Sequence, residues 1–285
     1  MSINSVQQKK EKLINNLKQF DSLLVAFSGG VDSTFLLAVA HDTLKDRVTA
    51  VTASSATYPF REQRESVEFV KKHGIKHIII HSNEVNLPEF SSNTPDRCYH
   101  CKKHLSLELK KISEKMKIKP IALAVNSDDL SDYRPGIRAA KEMGLINPLV
   151  DAQLSKKDIR ILSKEMKLST WNKPAMACLA SRIPYGEKVT ADKLKMIEEA
   201  EDFLIENGFW QCRVRHHGST ARIEVKNTEI SKITENDLRV RITDKFKQIG
   251  FLHVSLDLEG YTTGSLNRIL FANTDNFNTT QIVKK

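Results

Sequence analysis

Apolar and polar residues alternate along this chain in two distinct regimes, and the change between them falls near residue 170. In the first regime Val6, Leu13, Ile14, Leu17 and Phe20 recur at helical spacing, which predicts a helix over Val6 to Phe20. Leu23 to Phe27 is a short apolar run, followed at once by a Gly-rich turn and the apolar stretch Phe35 to Ala40, a strand–loop–helix pattern. Val48 to Ala53 reads as a second strand and Arg61 to His73 as a helix closed by Gly74. Lys76 to His81, with the continuous Ile78-Ile79-Ile80, is a third strand; a helix follows over Tyr99 to Met116, and Ile121 to Val125 is a fourth strand. Strands alternating with helices predict an α/β fold with a doubly wound parallel sheet, its short apolar strands buried on both faces.

After Pro148 the pattern loosens. Ser155 to Met166 is helical, Trp171 to Gly186 is irregular, and Thr190 caps a helix whose apolar face is Leu194, Ile197, Ala200 and Leu204, ending at Gly208. Arg213 to Val214, Ala221 to Val225 and His253 to Leu258 read as strands of a smaller α+β domain, and Asn273 to Lys285 as a polar tail. The expected division is a large domain over residues 1–170 and a smaller substrate or oligomerisation domain over 171–285, with a homo-oligomer as the expected assembly.

Composition narrows the class. The chain has 285 residues, 40% of them hydrophobic, and no apolar run approaches the roughly 20 residues of a membrane span. Its Lys-, Gln- and Asn-rich start has no signal-peptide core, so a cytoplasmic protein is expected. A formal net charge of +9 attracts anions without saying which. The four cysteines stand at 98, 101, 178 and 212. In a cytosolic chain structural disulfides are disfavoured, and a Cys-x-x-Cys pair points to metal or redox chemistry.

Ser28-Gly29-Gly30-Val31-Asp32-Ser33-Thr34 sits between the first strand and its helix, where backbone N–H groups and the positive helix end bind phosphate. Gly29 and Gly30 admit close approach of an anion, Ser28, Ser33 and Thr34 add hydroxyls, and Asp32 can hold Mg²⁺ against the phosphates. The Gly-Lys-Ser/Thr ending of a Walker A loop is absent, which disfavours transfer of a γ-phosphate. The bland alternative is a Gly-Ser turn with no ligand. SGGVDST resembles the PP-loop of ATP pyrophosphatases, which implies ATP as the nucleotide and pyrophosphate as the leaving group.

Cys98-Tyr99-His100-Cys101 is one Cys-x-x-Cys pair with no second pair to complete a structural zinc site. With Cys178, in Ala175-Met176-Ala177-Cys178-Leu179-Ala180-Ser181-Arg182, it makes three thiols able to hold three irons of a 4Fe–4S cube, leaving one iron open to an exogenous sulfide. Cys212, between Gln211 and Arg213, reads as a packed thiol. Further along stand Asn126-Ser127-Asp128-Asp129, Asp132-Tyr133-Arg134-Pro135-Gly136, Cys178 to Tyr185, Arg213-Val214-Arg215 and Gly260-Tyr261-Thr262-Thr263-Gly264. Together with SGGVDST these resemble, over nearly the whole chain, the LarE family of ATP-dependent sulfur transferases, which make the nickel-pincer nucleotide cofactor of lactate racemase.

The resemblance implies adenylation of a carboxylate of a pyridinium-3,5-dicarboxylate mononucleotide, then delivery of sulfur from sulfide or another donor. It adds Asn126 to the ATP-binding residues Ser28, Gly29, Gly30, Asp32, Ser33 and Thr34. In one branch of that family the cysteine matching Cys178 surrenders its own sulfur; in another, three cysteines hold a 4Fe–4S cluster. The pair Cys98 and Cys101 matches the second branch, and both chemistries stay open. Arg213 and Arg215, two apart on a strand, share a face and can fork onto a substrate phosphate. Ser181, Lys102 and Arg97 flank the cysteines as further substrate-binding candidates, with a solvated surface charge as the alternative for Arg97 and Lys102. Glu198, Glu199 and Glu201 read as a solvated helix face. Nucleic acid is disfavoured as a partner, though a PP-loop tRNA thiolase is the nearest rival and a non-catalytic nucleotide sensor the next.

Overall fold

The computed structural model describes residues 3–131, 135–174 and 177–268. The expected polar tail, Asp132, Tyr133 and Arg134 of the Asp132-Tyr133-Arg134-Pro135-Gly136 motif, and Ala175 and Met176 lie outside them. The chain divides between Ala177 and Cys178 into two compact units.

The first unit runs α1 (Ile3–Leu17), β1 (Leu23–Ala26), α2 (Val31–Leu44), β2 (Val48–Ser54), α3 (Phe60–Lys72), β3 (Lys76–His81), α4 (Pro88–Ser91), α5 (Arg97–Met116), β4 (Ile121–Ala122), α6 (Pro135–Glu142), α7 (Pro148–Asp151) and α8 (Lys156–Glu165). The strands form one parallel sheet in the order β3-β2-β1-β4. Alternation along β1 sends Leu23 and Val25 to a face packed with α1, α2, α3 and α8, and Leu24 to the opposite face with Leu109 of α5 and Ala140 of α6. The sheet is therefore wound on both sides. This is why β1 has no polar position to spare. Helix α2 carries ten buried residues out of fourteen, from Val31 to Leu44, as expected of a helix enclosed on nearly all sides.

Two strands depart from expectation. β3 is the edge of the sheet, and Ile79 in the middle of its isoleucine run is 38% exposed rather than buried. β4 stops at Ala122 instead of Val125, because Leu123 donates its N–H to the Ile146 carbonyl (2.9 Å) and the chain leaves β1 to pair there.

The second unit contains α9 (Ala191–Glu206), β5 (Arg213–His217), β6 (Thr220–Glu224), α10 (Ile230–Ile233), α11 (Asn236–Ile249) and β7 (His253–Leu256). β5 and β6 are antiparallel, while β6 and β7 are parallel. The sequence anticipates α9, and Thr190 caps it by accepting the Lys193 N–H at 3.3 Å. Helix α11 went unanticipated. Its Leu238, Ile242, Phe246 and Ile249 join Ala200, Leu204, Val214 and Phe251 in the unit's own core. Among the described residues no helix is long and apolar enough to cross a membrane.

Candidate active site

The phosphate loop hangs between the end of β1 and the first turn of α2. Thr34 N–H makes the first helical bond, to Gly30 O at 2.9 Å, so the N–H groups of Val31, Asp32 and Ser33 have no acceptor within the helix. Gly29 has φ +62°, and a Cβ there would fall 2.2 Å from Ser66 Oγ. Only glycine fits that position.

The loop is gripped from behind. Tyr58 Oη donates to Ser28 O at 2.6 Å and meets Ser66 Oγ at 3.0 Å. Lys173 Nζ donates to Gly29 O at 3.4 Å and pairs with the carboxylates of Glu62 (2.5 Å) and Glu65 (2.6 Å). With its carbonyls held this way, the loop is set by side chains from the turn before α3 and from the segment after α8. Ser28 and Ser33 share a hydroxyl contact of 3.1 Å, and Ser33 Oγ donates to Gly30 O at 3.2 Å.

Asp32 lies in the first turn of α2. Its Oδ2 accepts from Asn126 Nδ2 at 3.4 Å and from Lys156 Nζ. Its Oδ1 is buried without a hydrogen-bond partner among the described residues, as is Thr34 Oγ1. Burial pushes the Asp32 carboxyl above its ordinary range, against the pull of Lys156, and the nearby charge of Asp129 adds to the rise. Asn126 is buried and organises the acidic stretch after β4: its Oδ1 accepts from the N–H of Asp128 (2.9 Å) and of Asp129 (3.3 Å). A buried, unpartnered carboxylate oxygen beside a second carboxylate is a hard-oxygen donor set that suits Mg²⁺, which binds through one or two carboxylates plus phosphate and water.

Cys98 is exposed and Cys101 half-buried on α5, three positions apart and therefore on one face. Neither belongs to a hydrophobic core cluster, and as thiolates they suit two corners of an iron–sulfur cluster. Gly136 of α6 packs closely against α5 at this point, a Cβ there falling only 3.2 Å from Cys98 O and 3.4 Å from Lys102 Cβ. Among the described residues no three His, Cys, Asp or Glu side chains gather in a metal-holding group. Arg97 is not a solvated charge: it is 3% exposed and bonds Asn93 Oδ1. Lys102 is half-buried.

Cys178 opens the second unit, at the head of a 3₁₀ turn Leu179–Arg182. Arg182 holds that turn. Its guanidinium is fully buried, donates to Cys178 O (3.2 Å) and Ser181 Oγ (3.0 Å), and makes a two-pronged pair with Glu201 at 2.9 Å on each side. It also lies within electrostatic reach of Cys178 itself. Glu201 is thus buried and paired, not part of a solvated helix face. Burial alone would raise its carboxyl; the Arg182 charge wins and holds it below the ordinary range.

Arg213 and Arg215 do share a face of β5, opposite Glu224 and Arg222 of β6. Arg215 is not displayed as an open fork: it pairs with Glu224 (2.8 Å), donates to Ser181 O (2.8 Å) and to Ser265 Oγ (2.9 Å), and so braces the Cys178 turn. Arg213 is buried, donates to Cys212 O at 2.7 Å and lies over the Tyr261 ring. Cys212 is buried in the core of the second unit, as expected of a packed thiol.

Sequence reasoning missed Lys156, Lys173, Tyr58 and Glu62 around the loop and Glu224 behind Cys178; Arg182 was legible as a basic residue following the cysteine, but not as the holder of its turn. Only Arg182 carried a signal, its place four residues after the cysteine. The others come from helices and turns with no motif of their own.

An Asparagine synthase family model matches residues 14–104, the stretch that holds the loop. An uncharacterized protein of Synechocystis sp. is 40% identical over 264 residues, spanning 91% of this chain and 98% of that one. The pyridinium-3,5-bisthiocarboxylic acid mononucleotide synthase of Lactiplantibacillus plantarum is 34% identical over 264 residues, spanning 92% and 95%. An uncharacterized protein of Methanocaldococcus jannaschii is 31% identical, spanning 89% and 97%. With the loop geometry in place and full-length similarity at that level, the chain belongs to the LarE family of PP-loop ATP-dependent sulfur transferases.

Proposed function

We propose that this protein adenylates a carboxylate of a pyridinium-3,5-dicarboxylate mononucleotide and replaces one of its oxygens with sulfur, a step in making the bisthiocarboxylate named for its L. plantarum relative. The observation that carries the reading is the loop itself: a β1–α2 anion site with a buried acidic partner and no Walker lysine. The substrate carboxylate attacks the α-phosphorus of ATP. The bond from that phosphorus to the bridging oxygen breaks, and pyrophosphate leaves. Ser28 to Thr34 hold the phosphates, and Asp32 would hold Mg²⁺, whose charge offsets that of the leaving group. A sulfur nucleophile then attacks the acyl carbon, and AMP departs. Activation is needed because a carboxylate is a poor acyl donor.

Cys98, Cys101 and Cys178 would hold a 4Fe–4S cluster, which when bound supplies an open iron position for a transferable sulfide. The thiol pair on one face of α5, outside any core, supports that assignment. A second reading is favoured by the Cys178 turn, where the Arg182 guanidinium holds the cysteine's own carbonyl and lies within electrostatic reach of its side chain. In it, Cys178 Sγ forms a thioester with the acyl group. Loss of the Cys178 Cα proton then breaks the Cβ–Sγ bond, leaving a thiocarboxylate and dehydroalanine. Arg213, Arg215 and Ser181, around the Cys178 turn, form the cationic surroundings offered to the anionic mononucleotide, with Lys102 and Arg97 flanking the helical thiols.

The products test the first step: substrate-dependent AMP and pyrophosphate are expected, and ADP as the main product would overturn the assignment. Mass spectrometry after turnover tests the second. Anaerobic, iron-loaded protein is expected to turn over repeatedly with Cys178 unchanged in mass. Loss of about 34 Da at Cys178, the mass of the H₂S removed with its sulfur, in iron-loaded protein would replace the cluster with the sacrificial route.

A further inference from the structure

The stretch that leads into Cys178 is tied down more firmly than the phosphate loop requires. Residues 168–173 follow α8, where Trp171 N–H and Lys173 N–H close turns onto Leu168 O (3.2 Å) and Thr170 O (3.0 Å). Arg160 of α8 forks onto the same stretch: its Nη1 donates to Trp171 O at 2.8 Å and its Nη2 to Lys173 O at 2.7 Å. A planar guanidinium can bridge two carbonyls in this way and an ammonium cannot. Lys164, one turn further along α8, stands with Nζ 4.9 Å from the centroid of the Trp171 ring.

The other end of the tie is the Lys173 side chain. It meets Glu62 at 2.5 Å and Glu65 at 2.6 Å, two residues three positions apart on one face of α3. Its contact with Gly29 O is the longest of the three, at 3.4 Å. Holding a loop carbonyl needs only a neutral donor, as Tyr58 supplies at Ser28 O. The Glu62 carboxylate is buried, and a buried charge is tolerated only when it is paired. What this pairing anchors is the lysine's own backbone. Pro174 follows at once; it restricts Lys173 to extended backbone and holds its own φ at about −65°. The chain therefore leaves the anchor in a set direction, with Cys178 five residues on.

We propose that Arg160 and Lys173 are positioning residues for the sulfur-transfer half of the reaction: they fix the start of the segment that ends in Cys178, so that the acyl-adenylate meets sulfur before it meets water. Cys178 stands on the sulfur side in both chemistries above, so the proposal rests on the adenylation reading and not on the choice between them. With the anchor lost, water attacks the acyl carbon, AMP leaves and the starting carboxylate is regenerated. ATP is then consumed without a thiocarboxylate.

The test compares the two half-reactions in the full chain, under anaerobic conditions with sulfide and the pyridinium dicarboxylate mononucleotide. Substrate-dependent ATP–pyrophosphate exchange reports adenylation, and thiocarboxylate formed per AMP reports transfer. Arg160→Met touches neither the phosphate loop nor the α3 carboxylates. It is expected to keep wild-type exchange, while thiocarboxylate per AMP falls about tenfold or more, the scale of a small misplacement of reacting groups. Lys173→Met combined with Glu62→Gln, which removes both partners of the buried pair, should lower the same ratio, and Lys173→Arg should retain most of it. Amide hydrogen exchange at Trp171 and Lys173 is expected to speed up in Arg160→Met while β1 and β2 stay protected, which also shows that the variant is folded. A wild-type ratio in Arg160→Met with those amides released would overturn the proposal. Equal losses in both half-reactions would overturn it too, leaving these residues as supports of the phosphate loop. Absence of AMP formation by the wild-type protein is a separate result that sinks the adenylation reading, and the amide arm still reports on the anchor.

Discussion

Asp32 has one carboxylate oxygen turned to Lys156 and Asn126 and the other buried without a partner among the described residues. Its folded-state pKa stands above 3.8, so between 3.8 and the raised value the native chain binds more protons than the unfolded one. Stability therefore falls as pH rises through that window, and at neutral pH the full penalty of a buried charge is present. Asp32→Asn is expected to raise the melting temperature of the ligand-free protein at pH 7, with the gain shrinking as pH falls toward 4, and to abolish AMP formation. Scanning calorimetry at the two pH values checks it; a lower midpoint at pH 7 would mean that the Lys156 pair outweighs burial. Arg182 shows the reverse balance. Arg182→Met strands Glu201 in the core of the second unit, at a cost of about 3–5 kcal/mol in denaturant unfolding. The double variant Arg182→Met with Glu201→Met should recover most of that loss, and equal losses in the single and double variants would mean the pair does not hold the turn.

The β1–α2 loop is an element whose shape is imposed by its neighbours. Gly29→Ala meets both the Ser66 hydroxyl and a left-handed backbone, the latter costing roughly 1–2 kcal/mol. Weaker ATP binding is expected, and adding Ser66→Ala should restore part of it by removing the clash. Full restoration would show that backbone conformation is unimportant there. Much of this element was legible beforehand, because a strand, a Gly pair and a helix start are local properties. Lys173 and Tyr58 were not, since a lysine after α8 and a tyrosine before α3 reach the loop only through the fold. The same distinction explains the strands. Ile78-Ile79-Ile80 reads as buried from composition, but edge position is a property of sheet order, which no stretch of six residues encodes. Helix α11 has a signal of its own, Leu238, Ile242, Phe246 and Ile249 at helical spacing, but it is diluted by the exposed Val240 and by Lys, Arg and Asp, and those four residues pack in the core that α9 and the second sheet share.

On the scale of the molecule, the resemblance in scattered motifs extends to full-length relatives, and Arg215, one of the two arginines read as a phosphate pair, also braces the Cys178 turn. Charge type was readable from sequence, but its partner was not: Glu224 and Glu201 neutralise Arg215 and Arg182 from positions 9 and 19 residues away. The grip on the phosphate loop has a consequence for how the protein comes into being. Residues 14–104 contain the entire signature, yet Asn126, Lys156 and Lys173 lie beyond them. A ribosome releases the signature well before the residues that neutralise and position it. A nascent or truncated chain ending near residue 104 would carry the motif and Tyr58 behind it, but neither Asn126 and Lys156 on Asp32 nor Lys173 on the Gly29 carbonyl. The last residues that pair with Asp32 and grip the loop thus emerge just ahead of Cys178, the residue that opens the second unit.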